Sequence, residues 1–130
     1  LADERRNRPL VGNAGSERQV RKAERRAKER IDRFRDGLLA TLSSAPGRAF
    51  IWGLLGEARV YASVWNDHGS RMAFNVGQQD YGHWLLAECL EVDEALTQLM
   101  EQEGRRWQRG EDRRDDAAQR AGDEPGETDQ

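Results

Sequence analysis

The sequence predicts an all-α protein: a small bundle of about four helices, with a protruding basic N-terminal helix and a disordered charged C-terminal tail. Three observations predict it. Apolar residues recur at spacings of three or four over long stretches, which is the period of a helix face. No stretch sustains the alternation of a half-buried strand. The chain is also wet, with 36% hydrophobic and 35% charged residues and a mean hydropathy of -0.97, so it supports one modest core and not several.

Residues 1–15 carry Pro9, Gly12, Asn13 and Gly15 with few apolar side chains, and read as a flexible arm. Ser16 followed by Gln19 has the form of a capping box. Val20, Ala23, Ala27, Ile31, Phe34, Leu38 and Leu42 then form one stripe, predicting a helix from about Ser16 to Ser43. Its first half, 16–30, reads as a basic projecting helix, since the stripe gains bulk only from Ile31. Ser44 before Pro46 marks the cap of a second helix, about Pro46 to Ala62, whose apolar face is Phe50, Ile51, Leu54, Leu55 and Ala58. Asn66-Asp67-His68-Gly69 reads as a turn. Ser70 then caps a third helix, about Arg71 to Glu91, with Met72, Phe74, Gly77, Tyr81, Trp84, Leu85 and Leu90 as its buried side. Asp93 caps a short fourth helix carrying Leu96, Leu99 and Met100. Beyond Gly104 the apolar pattern collapses. The expected organisation is therefore a helical domain over 31–104 and a charged tail, 105–130, too polar to offset the cost of ordering it.

The net charge of -3 conceals an asymmetry. Residues 1–35 hold 12 Lys/Arg against 6 Asp/Glu, residues 36–100 hold 3 against 8, and residues 101–130 hold 6 against 10. Arg18, Arg21, Lys22, Arg25, Arg26, Lys28, Arg30 and Arg33 lie within one helical stretch, a candidate surface for neutralising phosphates without reading sequence. Glu24/Lys28 and Glu29/Arg33 stand at i,i+4, so a solvated, self-paired helix competes with that reading. A protein partner along the Val20–Ile31 stripe competes equally.

Other chemistry is thinly represented. The single cysteine, Cys89, excludes an internal disulfide and a multi-cysteine zinc site. No run approaches the ~18 apolar residues of a membrane span, and the Val20–Ile31 stripe lacks the large apolar side chains of a membrane-surface helix, so no membrane partner is expected. The chain opens on Leu1, which predicts further residues upstream. There is no glycine-rich phosphate loop. His68, His83, Asp67 and Asp80 make a four-ligand set on paper, but a surface turn and a half-buried histidine explain them as well. No catalytic residue, metal or cofactor is expected. Cys89, in an apolar run, reads as core packing. Tyr61, Trp65, Phe74, Tyr81 and Trp84 could stack bases, yet their helical spacing favours the core. Trp65 and Trp107 are the two expected to be exposed, as candidate anchors for a protein partner.

Several spaced segments also follow one pattern: Phe34…Leu38, Ala45-Pro46-Gly47-Arg48…Trp52…Leu54-Leu55, Val60-Tyr61-Ala62-Ser63-Val64-Trp65, and Ala73-Phe74…Gly77…Tyr81-Gly82-His83-Trp84-Leu85-Leu86. Over about Arg33 to Glu103 the chain resembles the Bbp-type small tailed-phage protein family, typified by a Bordetella podophage protein. It departs at Gln78-Gln79-Asp80, where the family often has Arg-Arg-Asn, and so loses positive charge on the third helix. The resemblance implies a phage protein from the head and portal morphogenesis region, of a family with no well-established enzymatic activity. The expected function is that of a virion or head-assembly structural protein near the portal. It would dock on portal or head proteins, contact packaged DNA non-specifically, and form a homo-oligomer. It would reside in the virion, and in the host cytoplasm during assembly. The competing reading is a DNA-binding accessory factor in genome packaging or regulation.

Overall fold

The computed structural model describes residues 14–124. Among them are four helices and no strand: α1 (Ala14–Leu42), α2 (Ala45–Glu57), α3 (Gly69–Val92) and α4 (Glu94–Asp123). The all-α expectation is met. The chain divides into two units, one ending at Gly37 and one beginning at Leu38.

Within the described residues the first unit is the N-terminal part of α1. It is helical from Ala14, so Ser16 sits inside the helix and does not cap it, and the arm expected over 1–15 is corrected at Ala14 and Gly15. Residues 1–13 lie outside the described residues. The Ala, Arg, Lys, Glu and Gln of this segment have high intrinsic helix propensity, so the helix does not wait for the bulky apolar residues.

The second unit holds the core. Leu38 and Leu42 from α1, Ile51 and Leu55 from α2, Leu85 and Cys89 from α3, and Met100 from α4 are buried together. Trp52, Val60, Leu86, Val92 and Leu96 pack against them. Each buried aliphatic side chain contributes about 1.5–3 kcal/mol. The break after α1 is built as its sequence suggests. Ser44 is extended, and its hydroxyl oxygen accepts from the Gly47 amide at 3.1 Å. Asp93 likewise caps α4, accepting from the Leu96 amide at 2.9 Å, while the buried Thr97 hydroxyl donates to the Asp93 carbonyl at 2.7 Å.

Three further boundaries differ from expectation. First, α2 stops at Glu57 and not near Ala62, because Arg59 takes a left-handed conformation (φ 59°). The Arg59 amide donates to the Gly56 carbonyl and the Val60 amide to the Leu55 carbonyl, which is a Schellman ending with arginine where glycine is usual. Second, α3 begins at Gly69 with His68 as its cap residue, so Ser70 lies in the first turn. Third, α4 is long. The tail expected from residue 105 is helical as far as Asp123, and residues 125–130 lie outside the described residues. Low hydropathy was the wrong criterion there. The segment is rich in helix formers and carries i,i+4 acid–base pairs such as Glu101–Arg105, at 3.5 Å.

Candidate functional site

The side of α3 that meets the body is small. Asn75, Gly82, Leu85 and Cys89 are its buried residues. A Cβ at Gly82 would lie 2.5 Å from Val60 Cγ2 and 2.6 Å from Ala58 Cβ, so the absent side chain lets the end of α2 settle onto the α3 backbone. Packing on that row turns the aromatic row outward. Phe74 is 64% exposed, Tyr81 66% and Trp84 44%. On α2, Ile51 and Leu55 are buried while Phe50 (62%) and Leu54 face solvent. The expectation that Met72, Phe74, Tyr81, Trp84 and Leu90 form the core side of α3 is thus corrected. So is the expectation that the aromatics make the core, which is built of Leu, Ile, Cys and Met. A groove of about 550 Å³ runs between α2 and α3, with Leu54, Ala58, Phe74, Gly77 and Tyr81 among its walls.

The 58–68 connection is held in place by α3. Gln79 Nε2 donates to the carbonyls of Arg59 (2.7 Å) and Ala62 (3.1 Å), and Asn75 Nδ2 donates to that of Val64 (3.3 Å). The Trp65 amide donates to Ser63 Oγ at 3.2 Å and the His68 amide to Asn66 Oδ1 at 2.9 Å. At its start Tyr61 stacks on Trp52, with ring centroids 5.2 Å apart and planes at 28°. At its apex Trp65 stands 70% exposed. Trp107, also exposed, lies on α4 at the edge of a cleft of about 480 Å³ shared with Trp52, Tyr61, Gly104, Arg59 and Arg105. The two tryptophans singled out from sequence are therefore both at the surface, on different elements.

In the first unit, Arg18, Arg21, Lys22, Arg25, Arg26, Lys28, Arg30 and Arg33 are all exposed. Arg18, Arg21, Lys22, Arg25 and Lys28 line one shallow concavity along α1, joined there by Glu24. At 100° per residue, Arg26, Arg30 and Arg33 fall on the adjoining row.

Among the described residues no three His, Cys, Asp or Glu side chains gather where they could hold a metal ion, and no single helix is long and apolar enough to cross a membrane. His68 and His83 are exposed. Cys89 is fully buried, and burial, reinforced by the charge of Glu88, pushes its thiol up to about 11. Burial, with the neighbouring Glu101 carboxylate, pushes the Tyr61 hydroxyl up to about 12. Both groups hold their protons more tightly folded than unfolded, where 9.0 and 10.0 apply. Above pH 9 the unfolded chain releases protons that the folded chain retains, so stability is full below that point and declines as pH rises toward 11–12. Urea midpoints measured between pH 8 and 11 are expected to show this decline, and Tyr61→Phe is expected to make it shallower. A flat profile would contradict the retention of these two protons by the folded chain.

Sequence reasoning gave no role to Gln79, whose amide fixes the loop carrying Trp65, or to Arg48, buried against Glu103 and the Leu42 carbonyl. No family model, curated protein or solved structure matches the chain.

Proposed function

We propose that this chain is a non-enzymatic virion or head-assembly protein of a tailed phage, acting near the portal or head. It docks on an oligomeric assembly through Trp65 and Trp107 and contacts packaged DNA through the basic face of α1. The observation that carries the docking reading is Trp65, a large apolar side chain displayed on a loop whose backbone is already fixed by Gln79 and Asn75. An anchor ordered before binding avoids the entropy cost of ordering it on contact, and tryptophan is prominent among residues that dominate interface energies. The phage setting is supported by the sequence resemblance over Arg33 to Glu103.

Mass spectrometry of purified particles is expected to find the chain at a defined copy number. Trp65→Ala is expected to weaken its binding to the assembly by about 2 kcal/mol, roughly thirtyfold, with the helical content unchanged. Absence of the chain from particles would overturn the virion reading.

A second reading, a DNA-binding accessory factor in packaging or regulation, is favoured by the cation-lined concavity of α1. If its five cations each neutralise one phosphate, the logarithm of the DNA association constant falls with the logarithm of salt at a slope of about -4 to -5. Arg21, Lys22, Arg25 and Arg26→Ala together should abolish that binding. Steep binding by a chain that particles lack supports the second reading. Incorporation without DNA affinity supports the docking role alone.

A further inference from the structure

We propose that the exposed aromatic face of α3 pairs with the same face of a second copy of this chain, the two helices running antiparallel about a two-fold axis level with Gln79. This stands apart from the docking role of Trp65 and Trp107, because the surfaces share no residue.

Ser70, Phe74, Gly77, Tyr81, Trp84, Glu88 and Glu91 follow one another at steps of four, three, four, three, four and three. That is the 3.5-residue period of a helix–helix seam. All are exposed except the half-buried Glu88. The seam is symmetric in position about residue 79. Gly77 and Tyr81 stand equally far from it on either side, as do Phe74 and Trp84, and Ser70 and Glu88. A two-fold interface sets the same patch against itself. Antiparallel pairing therefore lays each Tyr81 ring over the Gly77 of the other copy, sets Phe74 against Trp84, and brings the Ser70 hydroxyl to the Glu88 carboxylate as a donor. Gly77 is an open hollow, since a Cβ there would meet nothing within 4 Å. Parallel pairing would oppose tyrosine to tyrosine and stack Glu88 and Glu91 on their own copies, repelling at one end.

The area suffices. An aromatic side chain offers about 150–250 Å², so at their observed exposures Phe50, Phe74, Tyr81 and Trp84 present roughly 450–500 Å² per chain. Leu54 and a polar rim bring this close to the ~800 Å² per partner of a stable complex. The groove beside Gly77 gives the opposing rings depth to enter.

Analytical ultracentrifugation of the full chain at micromolar concentrations is the test. The expected result is a dimer whose dissociation constant rises at least about tenfold, by about 1.4 kcal/mol, in Tyr81→Glu and again in Gly77→Leu. Far-UV circular dichroism should stay unchanged, because neither position contributes to the core. Cysteine pairing reads the geometry. Ser70→Cys mixed with Glu88→Cys should give a mixed disulfide dimer, whereas Ser70→Cys alone should give none, its two copies lying ~27 Å apart. A chain that stays monomeric overturns the proposal. So does a dimer that survives Tyr81→Glu but is lost in Ile31→Glu, which would place the contact on the α1 stripe. Self-linking of Ser70→Cys, the mark of parallel helices, overturns it as well.

Discussion

Arg48→Ala is expected to lower the unfolding free energy by about 3–5 kcal/mol. The Arg48 guanidinium lies in the first turns of α2 and is buried. Its Nε donates to both oxygens of Glu103, at 3.2 and 3.1 Å, and one terminal nitrogen donates to Glu103 Oε1 at 3.0 Å. The other donates to the Leu42 carbonyl at 3.0 Å. One planar fork thus joins the last turn of α1, the start of α2 and the middle of α4. Truncating it leaves a carboxylate and a helix-end carbonyl dehydrated without donors, which costs more than the intact pair contributes over a solvated reference. Lysine should not rescue it, having a point charge and no fork. Arg48→Met with Glu103→Leu should recover most of the loss, because removing both charges removes the stranded one. The reading is the urea midpoint, expected to fall by more than about 1 M with the slope unchanged. A loss in Arg48→Ala below about 1 kcal/mol would show that water already shares the pair.

What the sequence reveals of this fold depends on whether a feature is local. Ser44 and Asp93 announce their helices because a cap is made within three residues of itself. The α1 stripe is legible for the same reason. The face that α3 buries is not, because hydrophobicity says which side chains prefer burial and not which helix comes close. In α3 the close approach is granted by Gly82, Cys89 and Asn75, whose smallness carries no hydropathic signal, and the aromatic row is displaced to the surface. The Arg59 turn is hidden too, since glycine usually marks it. Arg48 and Glu103, 55 residues apart, look like ordinary surface charges until the fold brings them together. The exposure of the α1 cations and of Trp65 and Trp107 was legible because charge runs and isolated aromatics are local patterns. Phe50, Phe74 and Tyr81 read as core residues and stand at the surface. The four–three spacing of Phe74, Gly77, Tyr81 and Trp84 marks one helix face and does not say what covers it.

Gly104→Leu is expected to cost about 3 kcal/mol or more, through overpacking where α4 lies against Trp52 of α2. A Cβ at Gly104 would run into the five-membered ring of the Trp52 indole, at the fusion carbons Cδ2 and Cε2 and at Nε1. That ring cannot slide freely, because its outer face is stacked on Tyr61, so the helices must separate or the stack must break. Alanine already meets the ring, and Gly104→Ala should therefore destabilise the chain by about 1–3 kcal/mol, although alanine is the better helix former by about 1 kcal/mol. Gly110 supplies the control within the same helix. Nothing lies within 4 Å of a Cβ there, so Gly110→Ala should gain up to about 1 kcal/mol from propensity alone. Opposite signs at two glycines of one helix would isolate close approach as the cause. Combining Gly104→Ala with Trp52→Leu should then cost less than the two changes summed, since the smaller side chain vacates the space the new methyl needs. Near-ultraviolet circular dichroism reports whether the Trp52–Tyr61 stack has opened. If Gly104→Ala and Gly110→Ala raise stability alike, α4 does not approach α2 at Gly104, and the aromatic cleft beside Trp107 would have no fixed floor.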